Sequence, residues 1–370
     1  MKQWSSWFVM NLFWGYDYGL LMIEAIVGCT KTENRMISST VVDRRAVLAR
    51  LASSSLGLLA LHSESLFGQS PEGNRMGQSM PGLTDRSRQI LQGLMGAPEF
   101  RGQIAASRVQ ELVHLERTDV DRLMIGLLAL ARTFSRPPIS NYRVGAVVRG
   151  SSGGLYLGMN IEIPGHSLGF SVHGEQAALS NAFMHVEPGV AAIAVTAAPC
   201  GHCRQFMNEM AATGEFEILV ENKAPCKLSS LLPMAFGPRD LGFKEGAFPV
   251  RKIGLELPHV SDDKLANAAL DAAAHSYAPY SESHCGLAIE TKQGGVYKGS
   301  YIENAAFNPS LSPLQTALVQ LIMAGEDYPA MTRVVLVEIE DAKISQASVT
   351  KAVLGTIAGI ALQRFGAVRT

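Results

Sequence analysis

Beyond residue 84 the chain alternates between stretches with helical and with strand-like periodicity. Apolar residues recur at helical spacing over Arg88–Leu115 and again over Asp119–Phe134. In the second stretch Val120, Leu123, Leu127, Leu130 and Ala131 share one face; Asp119 suits the N-cap and Pro137-Pro138 stop the helix. Two β-like runs follow, Val144–Arg149 and Leu155–Glu162, joined at the Gly153-Gly154 turn. The pattern then predicts a helix over His173–His185, a strand over Ala191–Ala197, a helix beginning at Cys200, and a strand over Phe216–Val220. Strands alternating with helices of this length indicate an α/β layered fold.

The pattern repeats. Gly145, Gly154, Tyr156, Gly158 and Glu162 recur as Gly286, Gly295, Tyr297, Gly299 and Glu303, at one offset of 141. Farther on, Gln176, Ala178 and Leu179 match Gln315, Ala317 and Leu318 at an offset of 139, a two-residue deletion. The second copy, from about Asp262, carries its own helix, hairpin, helix, strand (Arg333–Glu340) and final helix. The copies differ in chemistry: His173-Gly174-Glu175 faces Ser312-Pro313-Leu314, and Cys200 and Cys203 have no counterparts. One copy reads as catalytic and the other as structural.

Residues 1–83 follow neither pattern. Trp4–Val27 is apolar and long enough to span a bilayer of about 30 Å, but Asp17 and Glu24 interrupt it. Each acid costs roughly 2.5–3.5 kcal/mol at mid-membrane, so membrane association is not expected. Met36 offers an alternative start. Arg44-Arg45 precedes the apolar run Ala46–Leu61 as in a twin-arginine export signal, yet Arg50 and the lack of a small-x-small cleavage site favour a short amphipathic helix. Residues 68–83 are turn-formers and polar residues, a linker by composition.

Charge narrows the functions. With 33 acidic against 32 basic residues the formal net is -1, so no basic excess supports a nucleic-acid partner. Five cysteines in 370 residues cannot form a disulfide framework. Cys29, Cys226 and Cys285 lack ligand-spaced neighbours and read as ordinary thiols, and His166 and His185 as surface or capping residues. His173, Cys200 and Cys203 form a Cys₂His set, three ligands for a tetrahedral zinc with the fourth place open. Glu175 projects differently from the ligands and is free to move protons. A lone C-x-x-C serves equally as a redox pair or half a structural zinc knuckle. A structural site needs a fourth ligand, and His202 lies inside the pair, where the short loop opposes joint coordination. The combination of H-x-E with P-C-x-x-C, 24 residues separating Glu175 from Cys200, is the arrangement of the zinc-dependent base deaminases, a match of pattern.

The segments SNYRVGAVVRG (140–150), GMNIEIPG (158–165), VHGEQAALSNAF (172–183) and APCGHCRQFMNEM (198–210) closely resemble the cytidine deaminases. LPMAFGPRDL (232–241) and GSYIENAAFNPSLSPLQTAL (299–318) resemble the two-domain, homodimeric subclass of bacteria and plants. The resemblance covers roughly residues 84–370. It implies a three-layer α/β/α fold, tandemly duplicated: an N-terminal extension without ordered fold (1–83), a helical lead-in (84–136), a catalytic zinc domain (137–250) and a degenerate repeat (251–370). It implies hydrolytic deamination of cytidine and 2′-deoxycytidine in pyrimidine salvage, with one zinc per chain held by His173, Cys200 and Cys203 and activating a water. Glu175 would protonate N3 and shuttle the second proton to the departing amine. Asn160 and Glu162 would bind the ribose 3′-hydroxyl. Tyr142, often phenylalanine in the subclass, and Phe236 would enclose the base, and the Ala198 carbonyl would meet the amino group. The partners expected are a nucleoside substrate and a second copy of the chain, the repeat replacing subunits that shorter relatives recruit as a tetramer; the location expected is the cytoplasm, or export by the Arg44-Arg45 signal. Two competing readings are a polynucleotide-editing deaminase, which the balanced charge opposes, and a non-catalytic zinc module, which the combination of three ligands with a glutamate opposes.

Overall fold

The computed structural model describes Met80 and residues 82–211, 215–258 and 262–370. The Trp4–Val27 stretch, the Arg44-Arg45 signal, Cys29 and most of the linker lie outside the described residues. Among the described residues no helix is long and apolar enough to cross a membrane.

The first half contains α1 (Asp85–Met95), β1 (Gln103–Ile104), α2 (Ala106–Glu116), α3 (Val120–Thr133), β2 (Gly145–Gly150), β3 (Leu155–Met159), α4 (Gly174–Met184), β4 (Val190–Val195), α5 (Gly201–Ala211), β5 (Glu217–Val220) and β6 (Cys226–Lys227). The second contains β7 (Leu255–Glu256), α6 (Lys264–Ala274), β8 (Cys285–Thr291), β9 (Val296–Ser300), α7 (Pro313–Met323), β10 (Met331–Ile339), α8 (Ala347–Ile357) and β11 (Leu362–Arg369). Strand order is β1-β3-β2-β4-β5-β6 in one sheet and β7-β11-β10-β8-β9 in the other. In both, an antiparallel hairpin is followed by an antiparallel strand and then a parallel one, β4–β5 and β10–β11. The duplication read from glycines and tyrosines is thus a duplication of topology.

The periodic stretch over Arg88–Leu115 is two helices rather than one. Gly96 caps α1, Pro98 follows, and the chain extends into β1, which pairs with β3. There Gly102 has φ +78°, and a Cβ on it would come within 2.7 Å of Asn181 Nδ2, so the lead-in passes close over the core only because that residue lacks a side chain. Asp119 caps α3 as expected, accepting from the Arg122 amide. A strand beyond the final helix, β11, was not legible: its inner and outer positions do not alternate cleanly.

The two halves meet at α4 and α7. Both are buried around almost their whole circumference because each lies between its own sheet and the other helix. One core cluster accordingly runs through both halves. Polar groups inside it are paired: Gln320 donates to Asn181 Oδ1 at 3.0 Å, and Asn181 donates to the Leu157 carbonyl at 2.9 Å. The register of helix on sheet needs the repeated glycines. A Cβ on Gly158 would overlap the Ala178 amide nitrogen, and one on Gly299 would overlap the Pro313 carbonyl and the Ala317 nitrogen.

Gly158→Ala should therefore lower stability by about 3 kcal/mol or more, since backbone rather than a movable side chain receives the methyl. Gly355→Ala, at an exposed position of α8 with open space around it, should raise stability by about 0.5–1 kcal/mol. Thermal or denaturant unfolding of the two variants measures both.

Candidate metal centre

Two helix N-termini converge at the C-terminal edge of β3 and β4. His173 is the N-cap residue of α4; its backbone amide donates to the Gln176 side chain at 3.2 Å, fixing the first turn. Its entry is set by an antiparallel bridge between Ile161 and Val172. Cys200 precedes α5 and Cys203 sits in its first turn, with the Arg204 amide donating to the Cys200 carbonyl at 3.0 Å. The Arg204 guanidinium donates to the Pro199 carbonyl at 2.9 Å and to the Leu231 carbonyl at 3.0 Å, pinning the turn from outside.

His173 Nδ1 lies 3.5 Å from Cys200 Sγ and 3.3 Å from Cys203 Sγ, and the two sulfurs are 3.6 Å apart. A tetrahedral ion at about 2.3 Å from sulfur and about 2.0–2.1 Å from nitrogen requires about 3.8 Å between sulfurs and about 3.6 Å from nitrogen to sulfur. The donors are already spaced for it. They are the only such cluster among the described residues. The electrostatics agree. Hydrogen bonding with Cys203 and His173 brings the Cys200 thiol down to about 3, while the bond with Cys200 and burial push Cys203 well above its ordinary range. A divalent cation in that place lets both sulfurs ligate as thiolates. The hydrogen bond to Cys200 raises His173.

Glu175 is buried at 7% exposure, and its carboxyl is within hydrogen-bonding reach of Cys203. Burial lifts its pKa above the ordinary carboxylate range. His202 is not in the cluster. Its Nε2 meets Gln176 Nε2 at 3.2 Å, and its ring lies 5.6 Å from that of His173. Three donors and a buried carboxyl therefore form an open site rather than a closed structural one.

Around this core the structure places the remaining candidates at different depths. Glu162 accepts from the Ile139 and Ser140 amides at 2.8 and 2.9 Å and from the Ser140 hydroxyl at 2.5 Å. Asn160 accepts from the Val144 amide at 2.9 Å and donates to the Tyr142 carbonyl at 2.9 Å. Together they clamp the 139–144 loop, and the bridge at Ile161 between them sets both beside His173. Tyr142 itself is exposed on that loop. Ala198 is exposed just before the buried Pro199. Phe236 is exposed, its carbonyl accepting from Gln205 and Asn208 of α5, and no bond or ring contact among the described residues joins it to the metal cluster. His185 caps α4 and His166 meets Thr356 at 2.7 Å, as surface or capping residues would. Gln176 was legible only as a repeat match with Gln315; its contact with His202 comes from α4 meeting α5, and its bond to the Pro309 carbonyl at 3.1 Å from the packing of the two halves.

Residues 118–216 and 228–351 each match a model described as the cytidine and deoxycytidylate deaminase zinc-binding region. In the second match the repeat places Ser312 and Leu314 opposite His173 and Glu175. The chain is similar to a protein named cytidine deaminase from Vibrio cholerae serotype O1, 40% identical over 284 residues, which span 77% of this chain and 96% of that one. Cytidine deaminases of Yersinia pestis (41% over 274 residues, 74% and 92%) and Serratia proteamaculans (42% over 267 residues, 72% and 90%) are similar to the same extent. Two zinc-binding-region matches and identity at this level over most of its length make this chain a member of the cytidine deaminase family.

Proposed function

We propose that His173, Cys200 and Cys203 hold the zinc and that Glu175 performs the proton transfers of a hydrolytic deamination, cytidine or 2′-deoxycytidine plus water giving uridine or 2′-deoxyuridine plus ammonia. The observation that carries this reading is the spacing of three donors beside a buried carboxyl with a raised pKa. When bound, the ion supplies a Lewis acid that lowers the pKa of water in the open fourth place. Glu175 takes one proton from the attacking water as its oxygen bonds to C4, and delivers that proton to N3. It then takes the remaining hydroxyl proton and passes it to N4, so the C4–N4 bond breaks with its electron pair leaving on nitrogen and a carbonyl forming at C4. A carboxyl whose pKa burial has raised can both accept and release protons near neutrality.

Asn160 and Glu162 have capacity left for a sugar hydroxyl. The Asn160 amide uses one of two donors, and the Glu162 carboxylate uses three of about four acceptor sites. One donor and one acceptor match one hydroxyl, which suits a nucleoside over a free base. Tyr142 and Phe236 are assigned to the walls around the pyrimidine, and the Ala198 carbonyl to its amino group. Residues 137–250 are the catalytic domain in this reading and residues 251–370 its degenerate partner. A second copy of the chain is the expected partner: Met234, Phe236, Leu241 and Phe243 expose large apolar side chains on one ten-residue loop. All four described cysteines are free, which fits the reducing cytoplasm.

Glu175→Gln should retain zinc and lose turnover by at least about a hundredfold, measured as cytidine loss in the ultraviolet alongside elemental analysis. His173→Ala and Cys200→Ala should lose the metal itself, whereas His202→Ala should keep one zinc per chain; wild-type activity in a zinc-free His173→Ala protein would refute the assignment. Light scattering should give a mass near twice 39.7 kDa, with Met234→Asp shifting it towards a single chain.

A further inference from the structure

The second half has no counterparts of His173, Cys200 and Cys203 yet retains the loop clamp of the first. Glu303 accepts from the Tyr280 and Ser281 amides at 2.8 and 3.1 Å, as Glu162 does from Ile139 and Ser140 at the equivalent positions. This loop and the neighbouring 304–309 segment together hold a residue of α5. Glu209 is fully buried, six positions beyond Cys203. Its carboxylate accepts from the Tyr277 hydroxyl at 2.7 Å, the Tyr280 hydroxyl at 2.5 Å and the Ala305 amide at 2.9 Å, all three from the second half. Asn304, on the 304–309 segment that also carries Ala305, donates to the Gln205 carbonyl at 3.2 Å. Farther along it, the Pro309 carbonyl accepts from Gln176, whose side-chain oxygen receives the His173 amide. One segment of the second half therefore touches both helices that carry metal ligands.

We propose that Glu209, Tyr277 and Tyr280 are positioning residues for the metal centre: through them the degenerate half fixes α5, and with it the Cys200 and Cys203 sulfurs, against α4. Taking such a carboxylate out of water is costly unless every donor is present. Here burial pushes the Glu209 carboxyl up, and the tyrosine hydroxyls and the Ala305 amide pull it back. The helix cannot slide or rotate without breaking those bonds. Side chains that orient metal ligands in this indirect way typically alter metal affinity or activity about 10–100-fold when removed. The degenerate copy is then a splint that has kept the loop architecture of a substrate pocket and turned it onto the helix of its neighbour.

The inference rests on the zinc assignment above, and wild-type protein tests that assignment first: full chain that binds no zinc overturns both. With zinc bound, the rate of its release to a chromophoric chelator, kcat and KM for cytidine, and the melting temperature are measured for the double variant Tyr277→Phe/Tyr280→Phe and for Tyr280→Phe alone, which remains informative should the double variant not fold. Tyr297→Phe is the control, removing a hydroxyl–carboxylate bond of 2.5 Å to Glu326 between two residues of the second half. Zinc release should accelerate about tenfold, and kcat should fall with KM unchanged, while Tyr297→Phe lowers the melting temperature and leaves both alone. Release and kcat that match the control at equal loss of melting temperature would overturn the positioning role and leave the zinc assignment standing.

Discussion

Everything at the candidate site depends on two helices beginning at the same point in space. The N-cap of α4 and the first turn of α5 present an imidazole and two sulfurs within 3.3–3.6 Å of one another. The positive ends of both helices favour the negative charge gathered there. Their mutual hydrogen bond draws the Cys200 thiol down and pushes the Cys203 thiol up. Donors of this kind at this spacing suit a divalent metal, which lets both sulfurs ligate as thiolates.

Helix starts are held in register from several sides. Beneath α4 the repeated glycine Gly158 lets the helix sit on its sheet, and beside it α7 fills the other face. The Gln320–Asn181–Leu157 chain satisfies the polar groups this burial would otherwise strand. The duplication explains why so small a site is so thoroughly supported. The helix that buttresses α4 is its own structural copy, and each leans on a loop of the other half: Gln176 on the Pro309 carbonyl, Gln315 on those of Phe170 and Ser171.

Loss of chemistry in the second half did not entail loss of architecture. Tyr156 and Glu187 tie one hairpin to its following helix, and Tyr297 and Glu326 do the same in the copy. Glu162 and Glu303 clamp equivalent loops. These residues are retained at both places because a buried hydroxyl or carboxylate left without its partner is expensive. His173 and Glu175, by contrast, stand opposite Ser312 and Leu314, and the two cysteines have no counterparts in the copy.

The amino-acid sequence by itself determined the repeat, the metal donors and the hairpin–helix–strand order, because each leaves a local signature: a glycine at a fixed offset, a C-x-x-C at a helix start, a periodicity. The break between α1 and α2 was hidden, since Gly96 and Pro98 interrupt a pattern whose apolar spacing continues on both sides. β11 was hidden too, being an extended segment with partly exposed faces. Only tertiary structure decided what Gln176, Glu209, Asn181 and Gln320 do. Their partners across the two halves lie 68–139 residues away; a buried polar side chain has no period and no motif, and its meaning is settled by which partner the fold brings to it.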